Sequence, residues 1–202
     1  MKPMPFVVSC LALSVSVFAQ GSTAPRQPPP DKRPMAAADG TVAGPRSIWE
    51  TYKKYFTAAA AEMPEANYGF RPPTIPAADG KEIRTYGQIV AHIASESFMF
   101  CAAASGVAQP AGTETYEQTK TTKADITKAL AEGYAYCDQV WSATNDANMN
   151  TPGKWPAQLS GLPGSTRLGI LTFNTAHTAE HYGNLVTYLR AKGLVPPSSG
   201  GK

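Results

Sequence analysis

Apolar positions recur along most of this chain at intervals of three and four, the period of an α-helix, and no stretch sustains the alternation of a strand. Four such stretches can be bounded. The first is predicted from Ser47, where Ser47-Ile48-Trp49-Glu50 reads as a capping box, a hydroxyl and a carboxylate each satisfying an orphan backbone donor. It runs through Tyr52, Tyr55 and Phe56 to about Met63, and Pro64 ends it. The second starts at Thr85, with Thr85-Tyr86-Gly87-Gln88 as another capping box. It carries Ile89, His92, Ile93, Glu96 and Phe100 on one face and closes near Ser105-Gly106. The third covers about 122–144, with Ile126, Leu130, Cys137 and Trp141 along one stripe and Tyr134 beside it. The fourth starts near Ser165, and Ile170, Phe173, His177, His181, Leu185 and Tyr188 share its inner face. Arg190 and Lys192 meet its negative end, and Gly193 and Pro196 stop it.

Four amphipathic helices of this length imply an all-α four-helix bundle. The segment 67–81, with Pro72, Pro73, Pro76 and Asp79-Gly80, is a loop, as is 145–164. Between helices two and three lies a long polar crossover, residues 107 to about 120. Fully extended it reaches about 45 Å, against a helix length near 30 Å, so the two helices need not be antiparallel neighbours. Cys101 and Cys137 fall at about the same depth in the two helices, roughly 16 residues in, and would sit at one level only in a parallel pair. They are expected to be bridged, with two buried free thiols as the competing reading.

The ends of the chain lack this periodicity. Lys2, the apolar run Phe6–Phe18 and Val17-Phe18-Ala19 before Gln20 have the form of a secretory signal over residues 1–19. The run is too short to span a bilayer, and no later stretch comes near the roughly 20 apolar residues needed, so no stable membrane anchor is expected. Val7-Val8-Ser9-Cys10 comes too early in the run to serve as a lipoprotein cleavage box. Residues 20–44, rich in Pro, Ala, Gly and Gln, read as a flexible linker, and 196–202 as a disordered tail. One domain, 45–195, remains, and export to a periplasmic or extracellular space follows. Of the three cysteines Cys10 leaves with the signal. The net charge of +3 over 202 residues comes from scattered basic residues, which gives no footprint for nucleic acid.

The chain has three histidines, and all lie on apolar helix faces. His177 and His181, at i and i+4, project from one side of a helix, and His92 sits on the inner face of another. A lone core histidine is usually a packed residue, but three such residues can reach one ion at about 2.0–2.1 Å. The donor set suits zinc, nickel, copper or iron, and it leaves coordination positions free, as catalytic sites do. Glu96, one turn beyond His92, is a carboxylate on a core stripe, read either as an acid/base or as a boundary residue reaching solvent. Glu180 completes His177-Thr178-Ala179-Glu180-His181, which fits the H-x-x-E-H pattern of inverzincin peptidases, with Glu180 as base. That reading lacks its third ligand, because no Asp or Glu follows position 181. The Glu-x-x-His pairs of di-iron bundles and the C-x-x-C-H of c-type haem are absent from the sequence.

The segment from His177 through His181, Asn184, Leu189-Arg190 and Gly193 to Pro196-Pro197 resembles the last helix of the DinB/YfiT-like family. Tyr86-Gly87-Gln88-Ile89-Val90-Ala91-His92 resembles its first histidine phrase, and Met63-Pro64-Glu65-Ala66-Asn67-Tyr68-Gly69-Phe70-Arg71-Pro72 the phrase after its first helix. The resemblance covers about 45–197, with Asn184 standing where many members have Gln. It implies an up-down-down-up bundle with a long crossover, and a metal held by His92, His177 and His181. An open site of this kind is expected to support a metal-dependent hydrolase, with water activated to attack an ester or amide. The resemblance implies a thiol-transferase variant, which activates a thiol for transfer or isomerisation. The expected partner is a small-molecule substrate or thiol. Export weighs against the thiol variant, because the thiol cofactors of such members are mainly cytosolic. The alternative is a non-catalytic domain whose metal or small ligand stabilises the bundle. A homodimer is left open.

Overall fold

The capping box at Thr85 forms as the sequence dictates. Thr85 is extended, its hydroxyl accepts from the Gln88 amide at 3.2 Å, and the Gln88 side chain accepts from the Thr85 amide at 2.8 Å. In this computed structural model, which describes residues 40–73, 82–163 and 165–200, four long helices carry the chain. They are α1 (Gly40–Glu62), α2 (Tyr86–Ser105), α3 (Lys123–Ser142) and α4 (Arg167–Ala191). No strand occurs among the described residues, so the chain is all-α. Thr122 and Thr166 cap α3 and α4 by accepting from Asp125 and Gly169, and Gly106 (φ 76°) closes α2. The crossover is not featureless, because it holds a one-turn helix, Tyr116–Thr119. The expected signal, residues 1–19, and the expected linker up to residue 39 lie outside the described residues.

Helix α1 starts at Gly40 rather than Ser47, and residues 40–44, expected in the linker, are helical. The Ser47–Glu50 box does not form, since Ser47 is already inside the helix, where its carbonyl accepts from Thr51. The real cap comes from far along the chain. Asp146, in the loop after α3, accepts from the amides of Thr41 (3.0 Å) and Val42 (3.2 Å) and sets its charge at the positive helix end. Gly40 sits at φ 41°, and a Cβ there would stand 2.8 Å from the Asp146 carboxylate. Arg46 then donates to the carbonyls of Trp141 and Thr144, fixing α1 to the end of α3. Removing this cap with Asp146→Ala is expected to cost about 1–2 kcal/mol. In thermal unfolding that is a midpoint lowered by about 2–8 °C, with Asp146→Asn keeping most of the stability.

The contacts give the helix directions pair by pair. Gly87 meets Ile126, Gly133 meets Ala94, and Cys101 is bonded to Cys137 with Cα atoms 5.3 Å apart, so α2 and α3 run parallel. A Cβ on Gly133 would lie 2.8 Å from the Ala94 carbonyl oxygen, so the glycine allows the close approach. Helix α1 runs against α3, because Trp49 donates to Asp138, Phe56 packs on Tyr134, and Lys123 donates to the carbonyls of Ala61 and Met63. Helix α4 runs against α2, pairing Tyr86 with Tyr188, His92 with His181 and Phe100 with Phe173. The core between them holds Trp49, Phe56, Met63, Phe100, Trp141, Ile170 and Leu185, all fully buried. Each such side chain contributes about 1.5–3 kcal/mol of burial.

The tail also departs from expectation. Pro196 is buried, Pro197–Ser199 forms a 3-10 turn, and the Ser198 amide donates to the Tyr182 hydroxyl at 2.9 Å. The tail is thus held to α4 at Ser198, while residues 198–200 remain exposed. Among the described residues no helix is long and apolar enough to cross a membrane.

Candidate metal centre

The antiparallel packing of α2 on α4 brings His92 opposite the i, i+4 pair His177 and His181. Ring centroids are 4.6 Å apart for 177–181, 5.0 Å for 92–181 and 5.5 Å for 92–177. One ring nitrogen from each lies within 4.8 Å of the others, and the Nε2 atoms of His92 and His177 are 3.4 Å apart. Two nitrogens bound at 2.0–2.1 Å to a tetrahedral ion would be separated by about 3.4 Å, so the donor set fits a metal ion. His181 is buried, and His92 and His177 keep 14 % and 18 % of their side chains exposed.

Burial acts on all three rings in the same direction. It is the main reason the His92 pKa falls to about 3, with Arg84 and then the other two imidazoles adding to it. His181 falls to about 4, through burial first and His177 second. His177 is lowered too, by burial against the opposing pull of Glu180. The rings are therefore neutral near pH 7, the state in which imidazole ligates. Phe173 stacks on His177 at an interplanar angle of 11°, Phe100 meets its edge, and Trp155 packs on both phenyl rings.

The outer nitrogens also have neighbours. Nδ1 of His92 lies 3.3 Å from Glu117, Nδ1 of His177 lies 3.4 Å from Glu180, and Nδ1 of His181 lies 3.2 Å from the Asn184 amide. An amide offers its oxygen or its nitrogen by a half-turn, so Asn184 can accept from Nδ1–H and leave Nε2 of His181 free. Of the two carboxylates singled out in the sequence, Glu96 lies 4.0 Å from Nδ1 of His92. Its pKa is pushed up to about 7 by burial, with Glu117 adding to the rise and Arg84 opposing it. Burial thus favours its protonated form, and a cation in the triad would act in the opposite direction. Glu180 is 70 % exposed and sits beside Nδ1 of His177, on the outer edge of the ring, away from the nitrogen that faces His92.

Beside the triad opens a cleft of about 730 Å³, whose wall includes Ile83, Arg84, Ile89, Glu117, His181 and Tyr188. The two charged ones, Arg84 and Glu117, are not marked by the sequence patterns. Glu117 accepts from Arg84 Nε at 2.8 Å while facing His92. Both lie outside the long helices, so no periodicity points at them. The mark of Glu117 in the sequence is the short run Tyr116-Glu117-Gln118 inside the crossover, a helical turn where a polar loop is expected.

Comparison with known proteins agrees with the resemblance of the histidine phrases. A family model described as the DinB superfamily matches residues 48–185. No curated protein matches the sequence. The match takes in α2, α3 and all three histidines, and with well over half of the chain under it, the chain belongs to the DinB superfamily.

Proposed function

We propose that the protein is a metal-dependent enzyme of hydrolase or thiol-transferase type that acts on a small molecule held in the cleft. The observation that supports this reading is that three neutral imidazoles converge beside an open cleft, with His181 in its wall and His92 and His177 each partly exposed. A centre of three protein ligands keeps positions open for reactants, whereas structural sites are closed. A zinc, nickel, copper or iron ion bound there would supply Lewis acidity, easing loss of a proton from water or a thiol. The side chains provide the rest. His92, His177 and His181 would hold the ion, and Glu96, 4.0 Å from Nδ1 of His92, is the side chain assigned to take up or return the proton. Arg84 places positive charge where negative charge would develop, and Ile83 and Ile89 seat an apolar portion of the substrate. The secretory form of residues 1–19 and a buried disulfide, a bond typical of oxidising compartments, both support an exported enzyme.

The test uses untagged protein loaded with each of the four metals. It is assayed against small esters and amides, and against thiols offered with electrophilic acceptors. Metal-dependent turnover in one panel is expected, abolished by chelator and lowered by at least about 100-fold in Glu96→Gln. Absence of turnover in both panels, with stoichiometric metal bound, would overturn the catalytic reading in favour of a metal that only braces the bundle.

A further inference from the structure

Glu117 has no part in the chemistry proposed above, yet it is the most heavily engaged acidic side chain near the triad. It sits in the one-turn helix of the crossover with only 20 % of its side chain exposed. Its Oε1 accepts from Arg84 Nε at 2.8 Å, and its Oε2 lies 3.3 Å from Nδ1 of His92. Arg84 is itself anchored, because its carbonyl accepts from the Tyr188 hydroxyl of α4 at 2.7 Å. A line of contacts therefore runs from α4 through Arg84 and Glu117 to the one histidine that α4 does not carry.

A neutral imidazole has a single ring proton, and its position decides which nitrogen can bind a metal. A carboxylate beside Nδ1 draws the proton there. Nε2 is then left with its lone pair, and Nε2 is the atom that stands 3.4 Å from Nε2 of His177. The opposite tautomer would set a bare lone pair against the Glu117 carboxylate and put a proton in the ligand position. The other two histidines are held less firmly. Glu180, beside His177, is 70 % exposed, so water competes for its carboxylate. Asn184, beside His181, carries no charge.

We infer that Glu117 is the positioning residue of His92, holding it in the Nδ1–H form, and that Arg84 is the clamp that holds Glu117. The inference rests on the metal-binding reading for its consequence, while the tautomer itself can be observed without metal. In the full-length, metal-free protein, long-range proton–nitrogen NMR spectra are expected to show His92 protonated at Nδ1. In Glu117→Ala the two tautomers are expected to mix. Zinc titrated against a chromophoric chelator should then bind about 10- to 100-fold more weakly in Glu117→Ala, the range found when an outer partner of a ligand histidine is removed. Glu117→Gln, which keeps the volume and guards against a folding defect, should fall between Glu117→Ala and wild type. Glu180→Gln should stay within about threefold of wild type. Zinc affinity in both Glu117 variants within threefold of wild type, or His92 remaining in the Nδ1–H form in Glu117→Ala, would overturn the inference. Wild-type protein that binds no zinc would overturn the metal-binding reading instead, and the tautomer spectra would still decide the role of Glu117.

Discussion

His177→Ala is expected to empty the metal centre while leaving the bundle folded. Its Nε2 and that of His92 stand at the separation a shared ion requires, so no neighbouring side chain can replace it from α4 without a shift of one helical turn. Structural zinc sites bind with roughly 10–16 kcal/mol over four ligands, so one ligand is worth about 3–4 kcal/mol, or a 100- to 1,000-fold loss of affinity. Untagged wild-type protein after dialysis should carry about one metal ion per chain by elemental analysis, and the variant close to none. The same pair of proteins separates ligation from packing. Without metal their thermal midpoints should agree to within a few degrees, because the ring removed is partly exposed. With metal only the wild type should gain stability, as any ligand of the native state requires. A His177→Ala protein that keeps its metal would refute the assignment of the triad.

The second large effect is expected from the link between α2 and α3. Cys101 and Cys137 are fully buried, and the bond closes a loop with a sequence separation of 36. Loop entropy alone gives about 4 kcal/mol of stability at 25 °C for a loop of that length. Asn174 of α4 is fully buried against the bond, its amide nitrogen 3.7 Å and 3.5 Å from the two sulfurs. The double variant Cys101→Ala/Cys137→Ala should therefore unfold at lower urea concentration, with a midpoint temperature about 8–16 °C below wild type. Reductant should shift wild type toward the variant and leave the variant unchanged. If the native protein yields two alkylatable thiols under non-reducing conditions, the free-thiol reading returns.

What could be read from the sequence was what neighbours in the chain decide. The Thr85 box involves residues three apart, and its atoms lie where the pattern put them. The two cysteines were placed at one level by counting residues along two helices, and they meet. The start of α1 is not legible in the sequence because its cap belongs to Asp146, a residue 105 positions away that no local pattern links to Thr41. Ser47 and Glu50 had the right chemistry for a cap, but the helix had already begun. The tail looked disordered by composition, yet Pro196 is buried and the Tyr182 hydroxyl orders Ser198. At the site, the histidines could be read because helical spacing placed each on an inner face. Glu117 could not, because its partnership with His92 depends on how the crossover folds back. Glu180 stood out through its motif, although its carboxylate reaches the outer edge of a ring.

The capping of α1 by Asp146 has a practical corollary. It fixes the place where the chain joins the bundle at the level of the last turn of α3, whereas Arg84 and Tyr188 mark the other end of the molecule, beside the cleft. Since α2 alone spans about 30 Å, a label or bead fixed to the exposed Thr41 would stand nearly a helix length from the cleft. Attachment at that position should therefore leave the cleft open to solution.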